Sequence, residues 1–205
     1  MKNANWQAYA DWTESLRQRN SIAGIHVTVF TASETLFEHG FGHRNIARDL
    51  RPDADTMFGL GSVTKSFTAL AILRAATDGL LSLDDPVTRW LPEFTLWEGR
   101  TAPVVRQLLN QTSGLPALDT LVHAMAESGR GDPTEAFDPV PPPEQIAPTG
   151  TAVEVIEYLN RTAKVEEPGG VFCYQNDAWG LLGEIVTRAT GVRFQDFVER
   201  EIAGR

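Results

Sequence analysis

The order of strand-like and helix-like patterns is the feature of this sequence that most restricts its fold. Two apolar runs, 22–31 and 35–41, lie on either side of a short polar connection and predict an antiparallel hairpin. After a polar loop at 45–55, nearly every patterned segment is helical. A two-stranded hairpin is only marginally stable by itself. We therefore expect the sheet to be completed by sequence absent here or by another chain.

The remaining segments predict helices joined by loops. The stretch 62–77 is apolar enough for a buried helix, and it ends before an Asp-Gly pair. Segment 128–150 is rich in proline, glycine and acidic residues, which predicts a long surface loop or lid. Residues 171–174 predict a short extended piece after a Pro-Gly-Gly break. Further helices are predicted at 5–20, from Pro86 onward, and at 104–110, 151–163, 177–190 and 193–202.

Composition excludes several classes of function. With 27 acidic and 18 basic residues the net charge is −9, which argues against a nucleic-acid partner because phosphate binding needs clustered Lys and Arg. No apolar run reaches the roughly 18 residues that a membrane span needs. The N-terminus lacks the apolar core of a secretory signal, so we expect a cytoplasmic protein. The single cysteine and four histidines show no metal-ligand spacing, so we expect no metal site. We expect no organic cofactor either, since covalent catalysis by a serine needs none.

Ser62 and Lys65 are the first candidates for chemistry. Positions i and i+3 of a helix lie on one face about one turn apart. A serine hydroxyl needs a neighbouring base to become a nucleophile, and a lysine with a lowered pKa is such a base. About one Ser-x-x-Lys is expected by chance in a chain of this length. The context favours function, because the pair follows a Gly-rich turn and opens an apolar helix whose N-terminus favours developing negative charge.

Tyr174 and Asn176 form the second candidate pair. A tyrosine that shares a proton with a lysine relays protons to a leaving group, and an amide holds a substrate amide or a lysine ammonium. The same spacing recurs at Tyr158 and Asn160, but there it lies in a helical stretch where core packing is the simpler interpretation. Asn176 by itself is also a typical helix N-cap.

Three other features compete with these candidates. Cys173 has no nearby cation or helix N-terminus to lower its pKa, so a small buried side chain is the simpler interpretation. Adjacent Asp84 and Asp85 precede a proline, as capping residues do. A pairing of His39 with Ser62 remains open, although the chain contains no Gly-x-Ser-x-Gly elbow.

The segments around these residues resemble the serine β-lactamase-related family, which includes class C β-lactamases, D-alanyl-D-alanine carboxypeptidases, D-aminopeptidases and esterases. FGLGSVTKSFTA at 58–69 is similar to the family's nucleophile segment, and PGGVFCYQN at 168–176 is similar to its Tyr-x-Asn segment. GLLSLDDPV at 79–87, LPEF at 91–94 and RQLLNQTSGLP at 106–116 match further family blocks in the family's order.

The resemblance implies an α/β (α+β) fold, a β-lactamase/transpeptidase-like sandwich with a mainly helical lobe. Residues 22–45 would supply the N-terminal hairpin of its sheet and 57–205 the helical lobe, with the C-terminal strands missing from this chain. It also implies that Ser62 is acylated by a small-molecule or peptide substrate containing an amide, β-lactam or ester. Lys65 would act as base, Tyr174 would transfer protons, and Asn176 would bind the substrate and Lys65.

One departure from the family pattern produces a second hypothesis. The family carries a Lys-Thr-Gly or His-x-Gly motif on a later strand, and neither pattern occurs in these 205 residues. We therefore expect an N-terminal portion of such an enzyme. The alternative is a catalytically impaired or non-catalytic member with a binding or scaffold role. Pairing of the unfinished sheet edge with a second chain is a further expectation.

Overall fold

A computed structural model of the chain describes residues 5–115, 151–162 and 166–204. These residues fall into two compact units, Met1–Leu60 and Gly61–Arg205. The loop or lid predicted at 128–150 lies outside the described residues. Within the described parts of the chain, no helix is both long and apolar enough to cross a membrane.

The first unit is a helix packed on a hairpin. Helix α1 (Trp6–Arg19) precedes strands β1 (Gly24–Phe30) and β2 (Thr35–Gly42), which pair antiparallel as the two apolar runs predict. The described residues contain this one two-stranded sheet. The indole of Trp6 stacks on the ring of Phe37 with 5.2 Å between centroids, which joins α1 to β2.

The other face of this hairpin is approached by the loop that follows it. A Cβ atom at Gly40 would lie 1.8 Å from the carbonyl oxygen of Pro52, a distance that no side chain tolerates. Asn45 and Leu50 form an isolated bridge that closes the first part of the loop. Glycine at position 40 therefore allows the backbone of the loop to contact the strand directly.

The second unit is helical in its described residues. Short 3-10 turns lie at Gly61–Val63 and Thr95–Trp97, and a π-helical turn at Glu199–Ala203 follows the last helix. The segment 171–174, predicted as extended, joins no sheet. The helices are α2 (Thr64–Thr77), α3 (Val87–Trp90), α4 (Val105–Leu109), α5 (Ala152–Thr162), α6 (Asp177–Thr190) and α7 (Phe194–Val198).

Helix α6 lies at the centre of this unit. It contacts α2, α4, α5 and α7, and its apolar residues recur at helical spacing so that one broad face is buried. The ring of Phe194 packs against Gly183, 3.5 Å from the position that a Cβ would take. Gly191 ends the helix in the left-handed conformation at φ 70°, where glycine carries no steric penalty. This helix begins at Asp177, directly after the segment that carries Tyr174 and Asn176.

Candidate active site

Ser62 lies in a tight turn at the start of α2. Sequence analysis predicts a helix from residue 62, whereas the structure has a 3-10 turn at Gly61–Val63 and α-helix from Thr64. Gly61 adopts φ 52°, and no atom lies within 4 Å of its Cβ position, so the bend is made without burying the serine. Ser62 is therefore exposed at a helix N-terminus.

Lys65 is one turn further on, and its side chain reaches back toward Ser62. Its Nζ donates a hydrogen bond to Ser62 Oγ at 3.2 Å. It also donates to Asn176 Oδ1 at 2.6 Å. The i, i+3 geometry that the spacing predicts is present, and the lysine is half-buried rather than solvated.

Tyr174 completes the cluster from a distant part of the chain. Its hydroxyl lies 2.5 Å from Ser62 Oγ, and its ring lies 4.8 Å from Lys65 Nζ. Interaction with the Lys65 ammonium, and next with the Ser62 hydroxyl, holds the pKa of the Tyr174 phenol below its usual value. A nearby positive charge favours phenolate over phenol. The serine thus has a potential proton acceptor within hydrogen-bond distance.

Asn176 occupies the N-cap position of α6 but does not cap the helix with its side chain. The amide oxygen instead accepts the hydrogen bond from Lys65. The sequence allowed either role, and in the structure the side chain is turned toward the lysine. The structure therefore brings all four predicted site residues together: Ser62, Lys65, Tyr174 and Asn176.

Trp179 is a member of this cluster that the sequence analysis missed. Its ring lies 5.8 Å from Lys65 Nζ, close enough for a cation–π interaction. A signal for it exists in the sequence, because residues 176 and 179 are three apart at the start of a helix and share a face. Lys65 is therefore flanked by two aromatic rings as well as by the Asn176 amide.

The competing candidates have structural partners. Asn160 donates to the Glu93 carbonyl at 2.9 Å and accepts from the Leu96 N–H at 3.1 Å, so it joins α5 to a neighbouring turn. Asp84 forms an ion pair with Arg106, and Asp85 accepts from the Ser82 N–H at 2.9 Å.

The other two candidates are a histidine and a cysteine. The ring of His39 packs against Phe41 with 4.5 Å between centroids, within the hairpin. Cys173 has a free thiol and is half-buried, and its backbone N–H donates to the carbonyl oxygen of Gln111. Across residues 5–115, 151–162 and 166–204, no three His, Cys, Asp or Glu side chains converge as a metal site.

Comparison with known proteins finds the same family along most of the chain. The sequence profile of the family described as Beta-lactamase matches residues 10–205. Penicillin-binding protein 4* of Bacillus subtilis (strain 168) is 29% identical over 189 residues, which are 92% of this chain and 37% of that protein. The chain thus spans little more than a third of the length of this relative.

Solved structures agree with the sequence comparison. The octameric penicillin-binding protein homologue from Pyrococcus abyssi superposes with a TM-score of 0.80 at 27% identity, over 98% of this chain and 43% of that one. The D-amino acid amidase from Ochrobactrum anthropi SV3, complexed with D-phenylalanine, gives a TM-score of 0.68 at 25% identity, over 91% of this chain and 45% of that one. The predicted fold class is confirmed.

Proposed function

The chain belongs to the Beta-lactamase family, and from that premise we propose that it is a serine hydrolase that acts through an acyl-enzyme. Its substrate would contain an amide, β-lactam or ester bond. The observation that carries the proposal is the position of Ser62 Oγ, which is 2.5 Å from the Tyr174 hydroxyl and 3.2 Å from Lys65 Nζ. Nucleophile and base within hydrogen-bond distance are the signature of an activated serine.

In the first half of the reaction Ser62 Oγ attacks the substrate carbonyl carbon, and its proton passes to Tyr174. The hydrogen bond to Ser62 Oγ and the lowered pKa support Tyr174 as the immediate acceptor, and the sequence-based expectation that Lys65 assists as base stays a prediction. The N–H of Ser62, at the start of α2, is suited to the developing oxyanion. When the bond to the leaving group breaks, Tyr174 returns the proton to the departing nitrogen or oxygen.

In the second half, water attacks the ester carbonyl of the acyl-enzyme and gives a proton to Tyr174. The bond from the acyl carbon to Ser62 Oγ then breaks, the serine recovers a proton, and the acid product leaves. The Lys65 ammonium stabilises the tyrosinate from a position where it is bonded to Asn176 and lies against two aromatic rings. We assign Asn176 a further role in binding the substrate.

Amides are included among the substrates because one structural relative is a D-amino acid amidase. β-Lactams are included because of the family. Both are acyl donors to a serine and require the same proton transfers.

A fluorophosphonate probe tests the proposal by intact mass. We expect one adduct on the 205-residue chain, its loss in Ser62→Ala, and its retention in Ser66→Ala, an exposed serine of the same helix. An adduct that persists in Ser62→Ala, or no adduct on the folded chain, contradicts it.

A binding or scaffold protein is the second candidate function. It is motivated by the lack of any Lys-Thr-Gly or His-x-Gly in the 205 residues. Turnover of p-nitrophenyl esters by this chain, abolished in Ser62→Ala, would exclude that candidate. Probe labelling without ester turnover would favour it.

A further inference from the structure

Gln111 bonds to the backbone on both sides of Tyr174. Its carbonyl oxygen accepts from the Cys173 N–H at 2.9 Å. Its side-chain Oε1 accepts from the Gln175 N–H at 2.8 Å. Since Cys173 and Gln175 flank the tyrosine, one residue holds the backbone N–H of both of its sequence neighbours.

The backbone of Gln111 adopts a conformation that glutamine rarely takes. It is the second residue after α4 and has φ 61°, in the left-handed region, where glycine or asparagine is the usual residue. A non-glycine residue in that region is strained, because its Cβ comes close to the following carbonyl oxygen. The residue is also only 8% exposed. Glutamine at this position has a strained backbone, but its side chain is long enough to accept a hydrogen bond from the Gln175 N–H.

The rest of the 111–115 segment bonds to residues 166–175, the Tyr174 loop, at points further from the tyrosine. The carbonyl of Thr112 accepts from Gly169 N–H at 2.7 Å, and that of Gly114 accepts from Glu166 N–H at 2.9 Å. The buried side chain of Gln175 donates from Nε2 to Ser113 Oγ at 3.1 Å. These bonds align the loop as a whole. Among the described contacts, it is those of Gln111 that lie immediately on either side of Tyr174.

We propose that Gln111 is a positioning residue that holds the Tyr174 hydroxyl against Ser62 and Lys65. It acts through the tyrosine and touches no reacting atom. Loss of the Oε1 acceptor leaves the Gln175 N–H buried without a partner, so the loop moves to find another. A shift of about 1 Å at a reacting group costs up to ~10²-fold in rate. The catalytic consequence rests on the proposed function, whereas the positioning of Tyr174 is measurable without it.

Three substitutions at position 111 separate side-chain reach from backbone strain. Gln111→Asn and Gln111→Gly suit a positive φ but remove the acceptor from the reach of Gln175 N–H. Gln111→Glu keeps an Oε acceptor at full length. Asn110→Ala is the matched control, because Asn110 bonds to Thr112 and makes no hydrogen bond to the Tyr174 loop.

The primary readout is the titration of tyrosine in protein labelled at the ring Cζ carbon, followed by NMR. The chain has three tyrosines, and Tyr174→Phe identifies the resonance of interest. We expect the pKa of Tyr174 to rise in Gln111→Asn and Gln111→Gly, and to match the parent in Gln111→Glu and Asn110→Ala. The midpoint of urea unfolding, measured beside it, reports folding. A purely structural role would move that midpoint and leave the tyrosine titration unchanged, which overturns the proposal.

Acylation of Ser62 by the fluorophosphonate is the second readout. We expect a rate about 10- to 100-fold lower in Gln111→Asn and Gln111→Gly, with recovery in Gln111→Glu. If Ser62 is never labelled but the tyrosine titration shifts as expected, the positioning role stands and the proposed function fails. If labelling occurs and position 111 changes neither rate nor titration, the positioning role is overturned and the proposed function stands.

Discussion

A single ammonium group organises the candidate site at the scale of residues. Lys65 Nζ contacts the serine oxygen, the Asn176 amide oxygen and two aromatic faces. None of these partners is an anion in its ordinary state. The positive charge is therefore stabilised chiefly when Tyr174 loses its proton, and this couples the lysine to the ionisation of the tyrosine.

Replacement of Lys65 by methionine tests this coupling. The Lys65 interaction is the largest cause of the lowered pKa of Tyr174, so its removal raises that pKa toward the usual value of about 10. In the proposed mechanism, the rate of Ser62 acylation rises with pH as Tyr174 deprotonates. We expect this limb of the pH–rate profile to move to higher pH in Lys65→Met, with slower acylation at pH 7. Lys65→Arg, which keeps the charge, should shift the limb less. An unmoved limb would contradict the coupling.

Tyr174→Phe removes the hydroxyl and keeps the aromatic ring beside Lys65. A positioned acid or base typically contributes ~10²–10⁴-fold to a rate, and we expect ester turnover to fall within that range. Tyr158→Phe is the control, because that tyrosine lies within α5. Steady-state assays of both variants check the expectation. Equal activities for the two variants would remove Tyr174 from the mechanism.

How far the sequence predicts the site depends on the separation of its residues along the chain. Ser62 and Lys65 are neighbours because of helix geometry, so their spacing alone predicts their contact. Tyr174 lies 112 residues from Ser62, and only the family resemblance indicated that they would meet. Gln111 gave no signal, since its role depends on a left-handed backbone and on tertiary hydrogen bonds.

At the scale of elements, α6 supports the loop that carries Tyr174 and Asn176. Leu181, Leu182 and Ile185 are fully buried on it. Its hydrophobic periodicity made the helix predictable at 177–190, the bounds that the structure has. The start of α2 was less predictable, because the 3-10 turn depends on the positive φ of Gly61. The extended piece expected at 171–174 lacks strand partners, since the backbone of Cys173 is bonded to the 111–115 segment instead.

Leu182→Ala tests how much the central helix contributes. Truncation of a fully buried leucine typically costs about 2–5 kcal/mol, from lost burial and from the cavity left behind. Leu73→Ala on α2 is the control, since Leu73 is 46% exposed and surface changes usually stay within about 0.5 kcal/mol. Urea unfolding measures both. Similar losses for the two variants would mean that α6 is not the centre of the cooperative unit.

At the scale of the whole molecule, acidic side chains dominate the charge, and several are engaged in the fold. The pKa of Glu14 is lowered from 4.5 to about 2, first by its hydrogen bond with Arg17 and then by that with Gln18. The pKa of Glu93 is lowered chiefly by hydrogen bonding with Arg188. Arg188 also donates to Glu184, on its own helix, at 2.8 Å. Its bond to the Trp90 carbonyl at 2.9 Å joins α6 to the end of α3.

These carboxylates predict loss of stability in acid. A carboxyl whose pKa is lower in the folded state stabilises the fold above its unfolded pKa, and this contribution disappears as pH falls through the folded value. We expect the free energy of unfolding to decline between about pH 4.5 and pH 2. In Glu93→Gln it should be lower by about 1 kcal/mol at pH 7, after allowance for solvent screening, and should decline less in acid.

Exposed Glu98 provides the control for this experiment, as Glu98→Gln. Urea unfolding at a series of pH values measures all three proteins. If Glu93→Gln and the parent lose stability in parallel as the pH falls, the Glu93–Arg188 pair contributes nothing to the acid response.

The side chain of Asn176 does not cap α6, although Asn176 occupies the N-cap position of that helix. A side-chain cap at this position is commonly worth about 1 kcal/mol, and here the amide oxygen is given to Lys65. Stability and reactivity therefore make opposing demands on one position. Directed evolution for heat resistance alone should enrich variants in which the side chain of residue 176 caps α6. In those variants Lys65 should lose its hydrogen bond to residue 176. Selection for turnover should restore asparagine at position 176. The residue found there in an evolved population would therefore show whether stability or turnover had been selected.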